Sequence, residues 1–477
     1  LSAALGLPLA YLMRSVKIKG SSFLNILIVI SYLSPPFIGA YAWIQMLGRQ
    51  GVITQFLNDT FGLHYGGVYG FAGIVLVFTL QSFPLVYIYV SGALKNLDNS
   101  LNEAAESLGC SRMGRIWKII VPLVMPTLLA SSMLVFMRVF ADFGTPMLIG
   151  EGYKTLPVLI YNQFMGEVSG DDGFAAAICC IVIGLTIVMF FVQRFLAGRN
   201  TYAMTALKPM AAESLGGLRN ILAHLAVYMV VGLAILPQFV VVYTSFLATN
   251  GGQVFTGGFA LQSYDATLFA KDNDVIWHTY FLGLCAIAAV LVLGVLIAYL
   301  SVRKRNTLNS ILDVITMFPF IIPGSVLGIA FVFAFNKSPI ILTGTALIMI
   351  ISFAVRRMPY TVRSSTAILG NISPSIEEAA ISLGASDMTT FRKITVPMMM
   401  PGVLSGAIMS WVTIISELSS SIILYTNSTQ TLTVSIYTEV IRGNYGNASA
   451  YATILTVTSI LSLLLFYKVT GRRDVSV

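Results

Sequence analysis

Charge is scarce in this chain. Asp, Glu, Lys and Arg supply 10% of its 477 residues, while hydrophobic residues supply 56% and the mean hydropathy is +0.84. A soluble domain carries about 25% charged residues. So few charges cannot clothe a water-facing surface of this size, which excludes a soluble core as the whole protein. Histidine is also sparse: His64, His224 and His278 lie far apart with no ligand-like spacing, so no metal site is read from them. The four cysteines, Cys110, Cys179, Cys180 and Cys285, match neither a zinc spacing nor a redox pair. They read as buried thiols acting as small hydrophobes. There is no G-x-x-x-x-G-K-[ST] phosphate loop and no nucleophile–base arrangement, so no catalytic residue is assigned. An initiator Met and a signal-peptide pattern are missing too. Residues 1–13, LSAALGLPLAYLM, read as the tail of a further span whose beginning lies upstream.

What is present is apolar sequence in runs of about 20 residues, the length that crosses a bilayer as a helix. Spans are expected near 22–47, 69–92, 122–149, 173–196, 221–247, 275–301, 310–335, 343–365, 397–425 and 448–468. The expected fold class is all-α and integral to a membrane. The net charge of +8 is distributed unevenly. With alternating spans, one side collects 22 of the 28 Lys and Arg; the other holds Arg49, Lys154, Lys271, Lys337 and Arg442, and Arg138 sits inside a span. Basic residues stay cytoplasmic, so the surplus is a topology signal rather than a nucleic-acid patch.

The chain also repeats itself. EAAESLGCSRMGRIWKIIVP (103–122) returns as EAAISLGASDMTTFRKITVP (378–397), 275 positions later. From Glu103 to Pro126, 14 of 24 positions are identical at that offset. Pro84 and Pro359 share the offset, as do Asp142 and Glu417. GLPLAYL (6–12) resembles GVLIAYL (294–300) at an offset of 288, and the extra stretch GRQGVITQFLNDTFGLHYGG accounts for the drift. Two copies of one membrane unit are therefore expected: a first half at 1–197 with its first span upstream, a polar cytoplasmic linker at 198–219, and a second half at 220–477. The second half has six expected spans. An even number makes the repeats parallel, related by an axis along the membrane normal.

The copied segment reads as a shaped elbow. Asp98 and Ser373 suit helix N-caps, and Pro374 suits a first helical position. A short helix should run to Leu108 and Leu383. Ala104, Ala105 and Leu108 fall on one side of it, as do Ala379, Ala380 and Leu383, and small side chains there let another protein approach closely. Gly109 and Gly384 fit a left-handed stop. Ser111 and Ser386 can cap a second, basic helix, and Pro122 and Pro397 can open the next span. A plain elbow needs only polarity and a turn; keeping this whole pattern twice points to docking.

These residues resemble the EAA loop of binding-protein-dependent ABC importer permeases of the type I fold. The resemblance covers essentially the whole chain and is similar to the fused subfamily, in which one polypeptide carries both permease halves around a substrate pathway, as in ferric-iron, thiamine and aminoethylphosphonate importers. It implies that Glu103, Ala104, Ala105 and Gly109 form one coupling helix, and Glu378, Ala379, Ala380 and Gly384 the other. Each would seat in one of two copies of a cytoplasmic ATP-binding subunit. ATP and Mg would be bound by those subunits, with no cofactor in this chain, and an extracytoplasmic substrate-binding protein would deliver the cargo. A multi-pass protein of the bacterial inner membrane is implied, with no nucleic-acid partner. One departure is Val121 and Val396, where family loops often have Leu before the Pro.

The substrate is less legible. Asp142 (FADFGTPMLIG) and Glu417 (IISELSSSIILY) are acids within expected spans, and such residues are functional candidates. On a pathway or gate they would favour a cation, and carboxylates suit hard ions such as ferric iron. Against that, Arg138 lies one turn before Asp142, where a local pair would form; Thr413 holds the matching place before Glu417. Arg356 and Arg357 either line the pathway, suiting an anion such as a phosphonate, or snorkel to the cytoplasmic boundary. The outer-loop acids Asp59, Glu151, Glu167, Asp171, Asp172, Asp265, Asp272, Asp274 and Glu439 either meet a binding protein or keep the loops soluble. DFGTPMLIG with LPVLIYNQF looks most like ferric-iron-type permeases. Ferric iron is the expected cargo, ahead of thiamine, a polyamine or aminoethylphosphonate. A secondary transporter is the alternative class, since six-plus-six parallel repeats occur there too.

Overall fold

Where no water reaches, a backbone can hydrogen-bond only within itself, so apolar runs of this length fold as helices. In the computed structural model the described residues are 1–62, 65–166, 172–198, 212–250, 254–269, 274–304 and 306–470. His64, Glu167, Asp171, Lys271, Asp272 and linker residues 199–211 lie outside them. In chain order the helices are α1 Ser2–Ser15, α2 Ser21–Leu33, α3 Pro36–Leu47, α4 Val52–Phe61, α5 Gly70–Lys95, α6 Ser100–Ser107, α7 Arg112–Arg115, α8 Val121–Phe140 and α9 Gly144–Ile149. Then come α10 Leu156–Met165, α11 Asp172–Gly198, α12 Gly217–Ser245, α13 Gln262–Leu268, α14 Val275–Arg303, α15 Thr307–Ile315, α16 Phe318–Ile321, α17 Gly324–Phe335 and α18 Ala346–Asn371. The last are α19 Ser375–Ser382, α20 Asp387–Thr390, α21 Val396–Ile415, α22 Ser421–Leu424, α23 Leu432–Arg442 and α24 Tyr445–Thr470. Two short antiparallel hairpins, Leu247–Asn250 with Val254–Phe259 and Asn336–Lys337 with Ile340–Ile341, have no counterpart in the sequence reading.

Among the described residues, seven helices are long and apolar enough to cross a membrane: Gly70–Lys95, Arg112–Phe140, Gly173–Gln193, Gly217–Ser245, Val275–Arg303, Asp387–Ile415 and Tyr445–Phe466. The spans expected at 22–47 and 310–335 are not straight. Each is a bent pair, turned by 101° in the first case and 112° in the second. Proline is the cause. Ser34 and Ile322 each precede a proline and are extended, because the proline ring disfavours helical backbone in the residue before it. Pro35 and Pro323 then stand at the N-caps of α3 and α17 with nearly the same backbone angles. The spans expected at 122–149 and 397–425 also stop early. α8 ends at Phe140 and α21 at Ile415, and the short helices α9 and α22 follow a break.

The chain divides into two compact units. One contains Leu1–Thr155 and Ile183–Val241; the other contains Leu156–Val182 and continues from Val242. Repeats and spatial units therefore have different boundaries: α10 falls in the second unit and most of α12 in the first. The sequence of α12 shows why. Ala223, Val227, Val231 and Ala234 recur at helical spacing and are buried with Leu9 and Ala10 of α1 and Phe83, Val86 and Val90 of α5. In the second unit, Leu282, Ala286 and Val290 of α14 pack with Ile348, Met349, Phe353 and Val362 of α18 and Ile414 of α21.

The repeat is visible in how closely helices approach. A Cβ on Gly6 of α1 would lie 2.8 Å from Val86 Cβ, and one on Gly294 of α14 would lie 3.0 Å from Thr361 Cγ2. The pairs match at the two repeat offsets. The second unit goes further: α21 carries Gly402-x-x-x-Gly406, the small-residue pattern of close membrane helix packing. A Cβ on Gly406 would meet Thr361 Cα at 2.6 Å and the Tyr360 carbonyl oxygen at 2.8 Å. Hydroxyls bridge the same seam: Ser364 Oγ donates to the Gly402 carbonyl at 2.7 Å, and Thr361 Oγ1 and Ser410 Oγ share a bond of 2.9 Å. Of the cysteines read as buried, Cys179 is, Cys110 and Cys285 are half-buried, and Cys180 is exposed. Cys180 stands next to Ile181, which is 59% exposed on the outward apolar face of α11.

Gly406→Val forces a side chain against backbone that cannot move aside, and should cost about 2 kcal/mol or more. Gly232→Ala, where nothing lies within 4 Å of the new Cβ, should be neutral or stabilising by about 0.5 kcal/mol. Thermal unfolding of the detergent-solubilised variants checks both.

Candidate functional site

The two elbows are built alike. α6 and α19 each start after a turn closed by a side-chain oxygen: Asp98 Oδ1 accepts from the Ser100 N–H at 2.9 Å, and Ser373 Oγ from the Ser375 N–H at 3.4 Å. The assigned caps are the next residues, Asn99 and Pro374, one position later than the sequence suggested. Each helix stops in the same way. Gly109 has φ +80° and Gly384 φ +91°. The Cys110 N–H reaches the Ala105 carbonyl at 2.9 Å and the Gly109 N–H the Glu106 carbonyl at 2.9 Å; Ala385 to Ala380 and Gly384 to Ile381 repeat the pair at 3.1 and 2.9 Å. This is the Schellman pattern, and it requires a left-handed residue. Ser111 and Ser386 then cap α7 and α20 through the N–H groups of Gly114 and Thr389.

Pro122 and Pro397 stand in the first turn of α8 and α21, where the sequence put the opening of the next span, but those helices continue from α7 and α20 without a break, as Arg112–Phe140 and Asp387–Ile415. A proline has no N–H to give, and each helix widens just before it into a π-turn, Ile116–Ile120 and Phe391–Thr395. The Val121 N–H bonds Ile116 and the Val396 N–H bonds Phe391. The second short helix of each elbow, α7 or α20, therefore runs into a span without a break, while the glycine stop separates it from α6 or α19.

The faces left open also match. Glu103, Ala104 and Gly109 are exposed in the first elbow, and Glu378, Ala379 and Gly384 in the second; Ala105 is buried and Ala380 half-buried. Leu108 and Leu383 are 88% and 89% exposed, and Met113 and Met388 are both 64% exposed. Large apolar side chains are thus held out at repeat-equivalent positions of the two elbows. The methionines were missed in the sequence, although their identity in both copies was the available signal.

Asp142 and Glu417 stand at the helix breaks, each at the same place in its own repeat. Asp142 Oδ1 accepts from the Thr145 N–H at 2.9 Å, and Glu417 Oε1 from the Ser420 N–H at 3.3 Å. Each acid thus accepts a backbone N–H at the break before the short helix. Their surroundings then differ. Arg138 lies over the Tyr32 ring, 4.8 Å from its centroid. Glu417 is 3% exposed and takes Arg356 Nη1 at 2.6 Å, with Arg357 Nη2 on its other oxygen.

The reading of Arg356 and Arg357 as snorkelling to a boundary is corrected by this pairing. They lie mid-way along α18, and Arg356 is 7% exposed. An arginine inside an apolar bundle must find an anion, and Glu417 is it. A Cβ on Gly324 would fall 1.6 Å from Arg356 Nη1 and 2.6 Å from Ser419 Cβ. α17 therefore starts directly on the cluster, and only glycine fits there. At the 275 offset the arginines correspond to Gln81 and Ser82, which carry no charge. At the 288 offset Gly324 corresponds to Pro36; the close glycine on α3 is Gly39, with a Cβ position 2.4 Å from Gln81 Nε2. Among the described residues, no three His, Cys, Asp or Glu side chains gather as a metal site.

Comparison with known proteins gives a consistent picture. The family described as "Binding-protein-dependent transport system inner membrane component" matches residues 3–202 and again 290–473. The chain is 31% identical to the ferric transport system permease protein FbpB of Actinobacillus pleuropneumoniae, over 98% of this chain and 69% of that one. It is 30% identical to the putative ferric transport system permease protein FbpB 1 of Haemophilus influenzae, over 90% and 68%. The molybdenum transport system permease protein ModB of Escherichia coli is 28% identical over 41% of this chain and 86% of its own length.

Glu417→Gln leaves two buried guanidinium groups without their anion and should cost about 3–5 kcal/mol. Asp142→Asn keeps an oxygen for the Thr145 N–H and should cost about 1 kcal/mol or less. Thermal unfolding of the two variants decides; equal losses would show that the arginines add nothing at Glu417.

Proposed function

This chain belongs to the family of binding-protein-dependent transport system inner membrane components, and from that footing we propose that it is the permease of an ATP-driven ferric-iron importer. It is a multi-pass membrane protein and a transport subunit. The elbows face the cytoplasm and dock two copies of an ATP-binding subunit, which bind ATP and Mg; a substrate-binding protein delivers cargo from the other side. The observation that carries this reading is the doubled elbow: the same stop at Gly109 and Gly384, and the same outward Leu108 and Leu383.

Docking on such an elbow performs work only if the contact differs between nucleotide states, because a ligand shifts an equilibrium only through differential affinity. The unbroken passage from α7 or α20 into its span suits transmission. A movement imposed on Met388 is carried along Asp387–Ile415 to the break at Glu417. In this reading Asp142 is the pathway or gate carboxylate of the first repeat. Glu417, already neutralised by two arginines, acts as a gate hinge rather than as a cation ligand.

The cargo rests on the relatives. Two that match nearly the whole chain are named for ferric transport, whereas ModB matches less than half of it. The same machine carrying thiamine, a polyamine or aminoethylphosphonate is the second choice. A secondary transporter leaves the duplicated elbow without a purpose.

Gly109→Val and Gly384→Val put a β-branched residue in a left-handed turn and should lower uptake about tenfold or more while the protein still inserts. Leu108→Asp with Leu383→Asp should remove the ATP-binding subunit from affinity-purified complexes. Normal uptake by the valine variants with wild-type ATP hydrolysis would refute the coupling role. In proteoliposomes containing all subunits, radiolabelled ferric iron should accumulate in an ATP-dependent way and molybdate should not.

A further inference from the structure

The two elbows share their caps and stops but are braced differently. In the second unit, α14 ends at Arg303, and its guanidinium makes two contacts. Nε donates to Glu377 Oε1 in the first turn of α19 at 2.9 Å, and Nη2 donates to the Ile372 carbonyl at 2.8 Å. Ile372 is the C-cap of α18, so its carbonyl lies among those a helix end leaves without a partner. One side chain therefore ties together the end of α14, the end of α18 and the start of the elbow helix. The ion pair is shielded, with side-chain exposures of 9% and 12%. Tyr299, one turn earlier on α14, packs edge-on against Phe391 of the π-turn with ring centroids 4.8 Å apart. α14 thus holds the elbow on both sides of its glycine stop.

Among the described residues, the positions that form this clamp carry no charged pair in the first unit. At the repeat offsets, Arg303 corresponds to Ser15, Glu377 to Asn102 and Phe391 to Ile116. Its elbow is instead held locally, by Arg115 on Glu106 at 2.5 Å. Arg112 also reaches Glu213, within the 198–219 linker, at 3.7 Å, and Glu213 exchanges backbone hydrogen bonds with Ser15 and Lys17. Arg115 is 11% exposed but its partner Glu106 is 65%, and Arg112 and Glu213 are 40% and 66% exposed; pairs with an acid this open to water contribute less than a pair shielded on both sides.

We propose that Arg303 is a positioning residue for energy transfer: it welds the second elbow to α14 and α18, so that the two elbows are mechanically inequivalent and the second carries most of the stroke. This rests on the reading of the elbows as ATPase docking sites. It adds a residue that touches neither ATPase nor cargo, since α19 keeps Glu378, Ala379 and Gly384 exposed whatever Arg303 does. A rigid two-point clamp by a planar guanidinium is something lysine cannot copy, because its single ammonium is a point charge on a flexible stem.

The test uses the complete transporter in proteoliposomes, with ferric iron presented on the binding protein, and measures uptake and ATP hydrolysis together. Arg303→Gln should leave the ATP-binding subunit bound and hydrolysis active, but lower iron taken up per ATP by about tenfold, within the usual range of a coupling free energy. Glu377→Gln should behave likewise and Arg303→Lys should recover only part. Glu106→Gln, which breaks the exposed pair of the first elbow, should stay within about twofold of wild type. Wild-type uptake per ATP in Arg303→Gln would overturn the proposal. So would loss of the ATP-binding subunit or of membrane abundance in that variant, which would mark a purely structural residue. An equal loss in Glu106→Gln would overturn the inequivalence. Absence of the ATP-binding subunit from the wild-type preparation would refute the docking reading itself, and this proposal with it.

Discussion

Within a bilayer every backbone N–H and C=O needs a partner supplied by the protein, and the breaks in this chain are arranged around that need. At the break after α21, the Glu417 carbonyl is no longer held by a helix. Ser421 Oγ and Thr433 Oγ1 both donate to it at 2.8 Å. The carboxylate of the same residue takes the Ser420 N–H. At the break after α8, Asp142 does the same for Thr145. The two acids that stand out in the sequence thus each take a backbone N–H that the break leaves open. A buried carboxylate must then be balanced, and in the second repeat the balance comes from Arg356 and Arg357, against which α17 can start only because residue 324 is glycine.

A duplicated chain preserves what its backbone requires and varies what its side chains do. Left-handed glycines, Ser caps, π-turns before proline and close glycine contacts recur at matching positions. Ion pairs do not. Arg356 and Arg357 face Gln81 and Ser82 in the alignment of repeats, and Arg303 faces Ser15. Geometry is shared because a misplaced φ or a missing cap costs stability wherever it occurs. Charge is free to diverge because each cluster is satisfied within its own unit. The result is a protein with two similar elbows held by different side-chain contacts.

The elbows combine a short helix with strong local ends. Eight residues is too short to be helical alone in water. The side-chain turn at one end and the Schellman stop at the other supply the order, leaving Leu108 and Leu383 free to project. The following helix runs through its proline by way of a π-turn, so α7 and α20 are continuous with their spans as far as the breaks at the acids.

Much of this was legible in the residues alone. Periodic apolar runs, scarce charge and a repeat at 275 positions set the fold class, the doubling and the elbows, because those depend on local sequence and on the solvent the chain must match. Gly109, Gly384, Ser111 and Ser386 could be read one by one, since a left-handed turn or a cap is decided within a few residues. The folded structure alone decided which distant charges meet. Nothing local to Arg356, Arg357 or Arg303 reveals that their partners are Glu417, some 60 residues away, and Glu377, 74 residues away. Ion pairing depends on proximity in space. That proximity is set by how α14, α18 and α21 pack, which a linear pattern does not contain.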